Sequence, residues 1–385
     1  MRICLVSSSF YPADFSGGPI SACWDLSKKL VEKGNEIYVS TTNANGTKKL
    51  DIECNRYLEK STNVLVKYYN EQLLNKFSFS FLFGIWSDIK KSEVVYVQYL
   101  FHYTVLLALL CSIIQSKQII ICPRGSFSVF TLSNKFIFIK SLWLSLFISP
   151  ILSKIKWQAS SYLEEFDILR RFPKAKVSVI NDGVDCLSFQ NATESTKENL
   201  MQKFTDKTFS EVSSLFFSMG RLHKIKGFDV LIDAFSLFLK NHKNAKLLIA
   251  GADDGVKDEL LSQIKKLDLS DSIFLIGSIN FEDKKLLLSN CDVFTLASEF
   301  ESFGIVIAEA LACGVPVVVS NKTPWKDIEA NNCGIFADNE KNSFYNAFLK
   351  IINEKYDKNL IKNYVKSNFD WEVIVGRFIN LTKNK

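Results

Sequence analysis

Two glutamates in the C-terminal half of the chain flank a short turn, with seven residues between them. The polar loop that contains Glu301 runs into an apolar stretch, and this change of pattern predicts a helix that opens near Phe303 and Gly304. The first amides of such a helix have no helical acceptors, so they favour a phosphate. Those amides belong to Gly304, Ile305 and Val306.

Glu309 is expected about one and a half turns into the same helix. From there its carboxylate could accept hydrogen bonds from two ribose hydroxyls while the phosphates rest on the helix start. The helix is otherwise apolar, and a buried carboxylate without a partner is costly, so no structural purpose for Glu309 is evident. We therefore predict that Glu309 binds a nucleotide and that Glu301 faces the group attached to the phosphates.

A basic loop, residues 218–227, follows another apolar run and carries Arg221 and Lys226. Both would lie at the C-terminal end of a strand. There a guanidinium, which can bind through two N–H groups, and an ammonium could together neutralise a diphosphate. The alternative is a solvated basic loop.

Gly17 and Gly18 stand between the first apolar run and the first predicted helix, with Pro19 at the first helical position. The two glycines permit close backbone approach, and the helix start favours an anion. The alternative is that they only form a turn. The spacing differs from Gly-x-Gly-x-x-Gly, which argues against a dinucleotide cofactor.

Strand and helix patterns alternate along the chain, which is typical of open parallel sheets covered by helices. The N-terminal series predicts strands at 2–8, 36–41, 94–98, 118–122, 156–160 and 177–180, and helices at 20–33 and 104–115. The C-terminal series predicts strands at 214–219, 246–250, 273–276, 293–296 and 316–320, and helices at 228–240, 257–267, 284–290 and 305–313.

Residues 187–212 lose this periodicity and are expected to form a linker, with a short helix at 197–204. The pattern predicts an α/β protein with two Rossmann-like domains, residues 1–186 and 213–365, and a final segment, 366–385. We expect the domains to face each other across a cleft, because open α/β sheets bind ligands at their carboxyl ends.

The composition is globular, with 47% hydrophobic and 23% charged residues among 385. The net charge of +6 is uneven, since residues 1–180 hold about 22 Lys and Arg against about 13 Asp and Glu. A basic half suits an anionic membrane surface or a phosphate-bearing substrate, and biased surface composition explains it equally well. Nine cysteines without a C-x-x-C pair and three histidines point to reduced cytoplasmic thiols and no metal site. The chain begins with a strand pattern, so no signal peptide is expected.

Two segments, 104–115 and 136–155, are the most apolar. The first is too short to span a bilayer. The second approaches that length, but Lys140, Pro150 and Lys154 interrupt it. We expect either a buried helix pair or a helix that rests on the membrane interface.

The pattern Glu301-x7-Glu309, with Phe303-Gly304 and Gly314-Val315-Pro316, resembles the retaining glycosyltransferase family 4, of GT-B architecture. The resemblance covers nearly the whole chain. Further segments similar to this family are Gly17-Gly18-Pro19, residues 179–185, Arg221 with Lys226, and the tail around Trp371, which resembles a helix that crosses back to the N-terminal domain. Three segments resemble a bacterial surface-polysaccharide subgroup of this family, namely Pro123-Arg124-Gly125, Thr323-Pro324-Trp325 and Asn332-Cys333-Gly334.

The resemblance implies transfer of a hexose-type sugar from a nucleotide diphosphate donor, with retention of anomeric configuration. It assigns catalysis to Glu301, Arg221 and Lys226, and the acceptor side to Arg124, which stands where many relatives carry histidine. The implied donor contacts are Gly17, Gly18, Ile279, Phe303, Gly304, Ile305, Val306 and Glu309. Neither a metal nor a protein nucleophile is expected.

The resemblance also implies a lipid-linked glycan acceptor in O-antigen or capsule synthesis, at the inner face of the cytoplasmic membrane. The expected partners are thus a nucleotide-sugar, a lipid-linked glycan and an anionic membrane surface, and no nucleic acid. The alternatives are a sugar-nucleotide epimerase or phosphorylase of the same fold, or a non-catalytic scaffold that keeps the donor pocket.

Overall fold

The computed structural model describes residues 1–13, 17–72, 77–129, 131, 137–189 and 193–383. The chain divides into two compact units. One comprises Met1–Gly183 and Trp371–Lys385, and the other Val184–Asp370. Each unit has its own mainly parallel sheet and surrounding helices, as the alternating pattern predicts.

The first unit alternates strands and helices over its N-terminal part. Its strands are β1 (Arg2–Val6), β2 (Glu36–Thr42), β3 (Ala44–Asn45), β4 (Lys48–Lys49), β5 (Tyr57–Ser61), β6 (Val64–Tyr69), β7 (Val94–Gln98), β8 (Gln118–Cys122), β9 (Ile155–Ala159) and β10 (Lys176–Val179). Its helices in this part are α1 (Gly18–Glu32), α2 (Phe79–Lys90), α3 (Tyr103–Ile114), α4 (Ile137–Trp143) and α5 (Tyr162–Arg171). A π-helical turn (Leu144–Ile148) and a 3₁₀ stretch (Ser149–Lys154) continue α4.

The main sheet of this unit has the order β10-β9-β8-β7-β1-β2-β6-β5. All neighbours in it are parallel except β5 and β6. One hydrophobic core joins a single face of this sheet to α2, α3, the 144–154 stretch and α5. These helices therefore form one layer. Its buried side chains include Phe81, Val105, Leu144, Trp157 and Ile168.

The second unit repeats the alternation. Its strands are β11 (Leu215–Met219), β12 (Lys246–Ala250), β13 (Ile273–Gly277), β14 (Val293–Leu296), β15 (Val317–Ser320) and β16 (Gly334–Ala337). Its helices are α6 (Lys197–Thr205), α7 (Phe228–Phe238), α8 (Lys257–Lys266), α9 (Phe281–Asn290), α10 (Ile305–Ala312), α11 (Lys341–Asn353) and α12 (Lys358–Phe369). The last helix of the chain, α13 (Trp371–Lys383), belongs to the first unit.

The order of the second sheet is β13-β12-β11-β14-β15-β16, and all its neighbours are parallel. From β11 the chain moves outward through β12 and β13, and it then returns to the other side of β11 with β14. The direction therefore reverses between β11 and β14. In open α/β sheets, ligands bind outside the carboxyl ends of strands at such a reversal.

The expected linker, 187–212, needs correction, because the structure places it within the second unit. Phe189, Leu200, Met201 and Val212 are buried in that unit's core. Their apolar side chains are too widely spaced to give a readable periodicity. Residues 190–192 of the expected linker lie outside the described residues.

The expected boundary at 366 also moves. Ile361 and Val365 on α12 are buried in the second unit's core, so α12 belongs there as a whole. The final helix begins at Trp371 and joins the first unit, where its Phe378 ring lies 4.9 Å from that of Tyr96 and Lys33 pairs with Glu372 at 2.5 Å.

The apolar segment 136–155 is not a buried helix pair. Phe136 lies outside the described residues, and only 11% of the window Ile137–Lys154 is buried. By length and composition alone, this window is the one helix long and apolar enough to cross a membrane among the residues that the structure describes. Leu144 and Ile148 face the core, while the opposite side is exposed.

Candidate functional site

The loops that follow β11 and β14 touch each other at the reversal of the second sheet. The amide of Glu299 donates to the carbonyl of Ile225 at 2.8 Å. Gly227 has a positive φ of 62°, and a Cβ there would collide with the carbonyl oxygen of Ala297. A glycine is therefore required where the first loop crosses the second, and this crossing brings the two predicted motifs together.

Lys226 and Glu301 meet across these loops. The Nζ of Lys226 lies 2.5 Å from Oε1 of Glu301, which also accepts a hydrogen bond from the Ser298 hydroxyl at 2.7 Å. The two charged side chains are 19% and 12% exposed. Lys226 is thus held by a carboxylate on the neighbouring loop and is largely buried, so it is not part of a solvated basic loop.

Arg221 lies in the same loop as Lys226 but contacts a different carboxylate. Its guanidinium pairs through one terminal nitrogen with Asp254, which follows β12. The Arg221 side chain is 43% exposed. Arg221 therefore presents N–H donors to solvent. An incoming anion would compete with a single carboxylate, that of Asp254.

The turn before α10 has the geometry that the sequence predicts. Gly304 precedes the helix with φ 82° and ψ 60°, a left-handed conformation that glycine adopts without strain. The first helical residues, Ile305 and Val306, are half-buried, and the start of the helix leaves its first amides without helical acceptors. This end of α10 is suited to an anion.

The ring of Phe303 does not face solvent in this structure. Its ring is buried against those of Trp325 and Phe369, with centroids 5.2 Å and 5.6 Å away, and its carbonyl accepts a hydrogen bond from the Trp325 indole at 2.7 Å. Phe303 therefore anchors the turn to the core of the second unit. Trp325, to which the sequence analysis gave no structural role, is the residue that it packs against.

Glu309 has a structural partner that the sequence did not reveal. Its Oε1 lies 2.5 Å from Nζ of Lys284 on α9, and the two side chains are 11% and 16% exposed. The same ammonium lies 5.3 Å and 5.8 Å from the ring centroids of Phe281 and Phe189. The sequence spacing does not link Lys284 to Glu309, because the two residues lie on different helices, α9 and α10, that meet only in the folded unit.

Ile279 lies in the loop between β13 and α9. Its side chain is partly buried and packs against the core of the second unit. The loop is short because Asn280 already caps α9, accepting a hydrogen bond from the Asp283 amide at 2.8 Å. Ile279 is thus fixed by apolar packing in a loop that precedes the Lys284 helix.

The site is rich in cations. Arg221, Lys226 and Lys284 each pair with one carboxylate. Within the described ranges, no group of three or more His, Cys, Asp or Glu side chains could hold a metal ion.

Gly17 and Gly18 belong to the first unit. Gly17 caps α1 with φ 57°, and its carbonyl accepts from the amides of Ile20 and Ser21. A Cβ on Gly17 would meet no atom, so the positive φ is the reason for glycine at this position. Residues 14–16 of the predicted loop lie outside the described residues.

Arg124 also needs correction, because its guanidinium is not available to an acceptor in this structure. One terminal nitrogen lies 2.5 Å and 2.6 Å from the two carboxylate oxygens of Asp182, and Nε donates to Gln98 at 3.0 Å. Only 1% of its side chain is exposed. Burial alone would lower the pKa of Arg124, but the facing carboxylate raises it above its usual value. The residue is a buried structural cation.

Comparison with known proteins finds a family match within the second unit. Residues 202–367 match the family model described as glycosyl transferases group 1. An uncharacterised glycosyltransferase of Methanocaldococcus jannaschii is 29% identical over 58% of this chain and 58% of its own length. A Campylobacter jejuni protein is 32% identical over 45% of this chain and 49% of its own. Its name is N-acetylgalactosamine-N,N'-diacetylbacillosaminyl-diphospho-undecaprenol 4-alpha-N-acetylgalactosaminyltransferase. The chain thus matches about half the length of these curated relatives.

Similarity to solved structures extends further along the chain than similarity in sequence. The Anabaena protein HepE, solved in complex with UDP and glucose, superposes with a TM-score of 0.78 over 99% of both chains at 19% identity. These matches do not favour the epimerase alternative. The chain therefore has the GT-B glycosyltransferase fold, and its second unit contains a domain, residues 202–367, that matches glycosyl transferases group 1.

Proposed function

We propose that this chain is a retaining glycosyltransferase of family 4 type that moves a hexose-type sugar from a nucleotide diphosphate donor to a glycan acceptor. One observation carries the proposal. Lys226 and Glu301 are joined at 2.5 Å where the second sheet reverses direction, directly before the half-buried start of α10. A cation, a carboxylate and free helix amides are the groups that a sugar attached to a diphosphate needs.

The positive charges match the charge that develops on the leaving group. An ammonium has three N–H donors, so Lys226 can keep its bond to Glu301 and still donate to a phosphate oxygen. Arg221, with much of its guanidinium exposed, can donate to the same diphosphate, and the amides of α10 add further donors. Groups that are already in place stabilise departing negative charge without reorganisation.

Glu309 is proposed to hold the ribose. Its bond to Lys284 uses Oε1, so Oε2 remains as an acceptor for a ribose hydroxyl. The ion pair fixes the carboxylate on α10, at a distance of about five residues along the helix from Gly304. The phosphates at the helix start and the ribose at Glu309 would then lie along one helix.

The proposed chemistry keeps the anomeric configuration without a protein nucleophile. The acceptor oxygen bonds to the anomeric carbon on the face from which the diphosphate leaves, as the bond from that carbon to the β-phosphate oxygen breaks. The bonding electrons pass to the diphosphate, and the acceptor proton passes to a β-phosphate oxygen. In this scheme Lys226 and Arg221 stabilise the departing charge, and Glu301 would lie beside the sugar. No metal is required in this scheme.

The proposed acceptor is a lipid-linked glycan in surface-polysaccharide assembly, reached at the inner face of the cytoplasmic membrane. The name of the Campylobacter relative includes a diphospho-undecaprenol, which is a lipid carrier. The Streptococcus pneumoniae relative is named alpha-monoglucosyldiacylglycerol synthase, so its product is also a lipid. HepE has also been solved in complex with UDP-glucose, which supports a nucleotide-sugar donor of that class.

The test is binding followed by turnover. The full chain is titrated calorimetrically with UDP and GDP, and release of the nucleoside diphosphate is then measured with UDP-glucose and GDP-mannose. We expect one of the two nucleotides to bind, and Lys226→Ala to lose turnover while Lys243→Ala, at an exposed lysine of the same unit, retains it. Binding of neither nucleotide would overturn the proposal.

A further inference from the structure

The first unit exposes a concentration of large apolar side chains on a single helix layer. We define the outer helix face by six of them, Phe83 and Trp86 on α2, Ile114 on α3, and Ile137, Phe138 and Ile139 on α4. Phe83 and Phe138 are each 77% exposed. Soluble proteins rarely expose contiguous apolar patches of this kind unless the patch meets a partner.

All three helices lie on one side of the sheet. The inner faces of α2 and α3 share one core with β7, β8 and β9, and α4 packs against that core through the partly buried Trp143. Gln115, at the end of α3, donates to the carbonyl of Trp86 on α2 at 3.1 Å. Lys140 on α4 places its ammonium 5.6 Å from the Phe101 ring, just before α3. These contacts place α2 beside the end of α3, and α4 beside the loop that precedes α3.

The net charge of this region is positive. Between positions 79 and 154 the sequence contains two acidic residues, Asp88 and Glu93. Asp88 is buried, and Glu93 pairs with Arg2. The same stretch has exposed lysines at the end of α2, Lys90, and at the end of the 3₁₀ stretch, Lys154. Charge complementarity thus favours an anionic partner, and it disfavours a second copy of the same basic surface.

The apolar window Ile137–Lys154 cannot cross a bilayer once in this fold. It connects β8 to β9, which are hydrogen-bonded parallel neighbours with Ile119 opposite Ile155. A single crossing would place two adjacent strands of one sheet on opposite sides of the membrane. The window also turns from α-helix to a π turn and a 3₁₀ stretch with Pro150. It therefore lies along a surface.

We propose that the outer helix face docks the first unit onto an anionic lipid bilayer, with Phe83 and Phe138 inserted among the acyl chains and Lys90 and Lys154 at the phosphates. The helices lie in the plane of the interface, with their apolar side towards the lipid. The proposal names the docking surface of the membrane location given under the proposed function. The docking itself does not depend on the proposed function. Its purpose does, because docking would bring the enzyme to a lipid-linked acceptor.

The test is sedimentation of the full chain with vesicles of phosphatidylglycerol and phosphatidylcholine, beside vesicles of phosphatidylcholine alone. We expect binding to the anionic vesicles at low salt and a loss of binding as salt rises, because the Debye length is about 10 Å at 0.1 M. Phe83→Ser and Phe138→Ser should each weaken binding about tenfold. Leu187→Ser, which removes a 69% exposed apolar side chain from the second unit, should leave it unchanged.

The charge is tested by Lys154→Glu, which should weaken binding, against Lys243→Glu in the second unit, which should not. The proposal is overturned by no binding to anionic vesicles at low salt, by equal binding to neutral vesicles, or by equal losses in Phe138→Ser and Leu187→Ser. Concentration-dependent dimers that Phe138→Ser abolishes, without vesicle binding, would assign the face to a second copy instead.

Failure of the docking proposal and failure of the donor assignment are distinguishable. Vesicle binding requires no nucleotide, and titration with UDP or GDP requires no vesicle. The Phe83→Ser and Phe138→Ser variants should bind the nucleotide like the wild type, since both residues lie in the first unit and none of the proposed donor contacts of the second unit is altered.

Discussion

Glu309→Gln is predicted to weaken nucleotide binding by about tenfold to a hundredfold. The substitution keeps the size of the side chain and removes its charge. A hydrogen bond to a charged group contributes about 1.5–3 kcal/mol, which corresponds to that range of dissociation constants. The measurement is calorimetric titration of the wild type and the variant with UDP and GDP.

The same substitution also breaks the ion pair with Lys284. Both side chains are largely buried, at 16% and 11% exposure, so the ammonium loses its carboxylate in a partly desolvated place. Removing one partner of a fully buried pair costs about 3–5 kcal/mol, and partial exposure reduces this to about 1–2 kcal/mol. Chemical unfolding should therefore show a modest loss of stability with the native fold retained.

Lys284→Met separates the two effects. It breaks the same ion pair but keeps the Glu309 carboxylate and most of the apolar contact with Phe281. We expect a similar loss of stability and a much smaller loss of nucleotide affinity. Unchanged affinity in folded Glu309→Gln, or a Lys284→Met variant that reproduces the whole loss, would refute the assignment of Glu309 to the ribose.

Three further predictions concern turnover, metal and pH. Lys226→Ala should lower turnover by about a hundredfold to a thousandfold. It also breaks a largely buried ion pair, so its loss of stability should be modest and similar to that of Lys284→Met; such a loss of stability with normal turnover would make the lysine structural. Turnover should persist in excess EDTA, and its loss with recovery on adding Mg²⁺ would contradict a metal-free mechanism. Burial lowers the pKa of His102 to about 4. The unfolded imidazole gains its proton near pH 6.5, so this contribution is complete above that pH and is lost as pH falls towards 4. Urea unfolding should show that His102→Asn removes about 2 kcal/mol of the stability difference between pH 7.5 and 5, and equal pH dependence in both proteins would disprove it.

The central strands of both sheets were predictable because their apolar runs are buried on both faces. Val94–Gln98, Lys246–Ala250 and Val293–Leu296 have the predicted bounds. Helix starts were less certain, since capping decides them. α9 begins at Phe281 rather than at 284, because Asn280 accepts the Asp283 amide and extends the helix by three residues. The β5–β6 pair and α2 were not anticipated.

The partners of the charged site residues could not be predicted. Glu301, Lys226 and Arg221 carry recognisable spacings, but the spacing does not say which carboxylate each cation meets. Lys284 reaches Glu309 only because α9 and α10 pack together, and such pairs depend on the tertiary fold.

Burial of the apolar window Ile137–Lys154 posed a different difficulty. Its composition is equally compatible with a core helix and with an interfacial one. Only the packing of Leu144 and Ile148 against the sheet determines which side is left exposed. The burial of Arg124 was equally unpredictable, since its ion-pair partner Asp182 lies 58 positions away in the sequence.

The central claim is tested most directly by nucleoside diphosphate release from a donor panel of UDP-glucose, UDP-galactose, UDP-N-acetylglucosamine and GDP-mannose, in the presence of membranes that supply an acceptor. The account predicts that one donor is consumed and that NMR of the product shows the anomeric configuration of the donor. It also predicts that Lys226→Ala slows the reaction about a hundredfold to a thousandfold, while Lys243→Ala leaves its rate unchanged. An inverted product, or equal release by the wild type and Lys226→Ala, would contradict it.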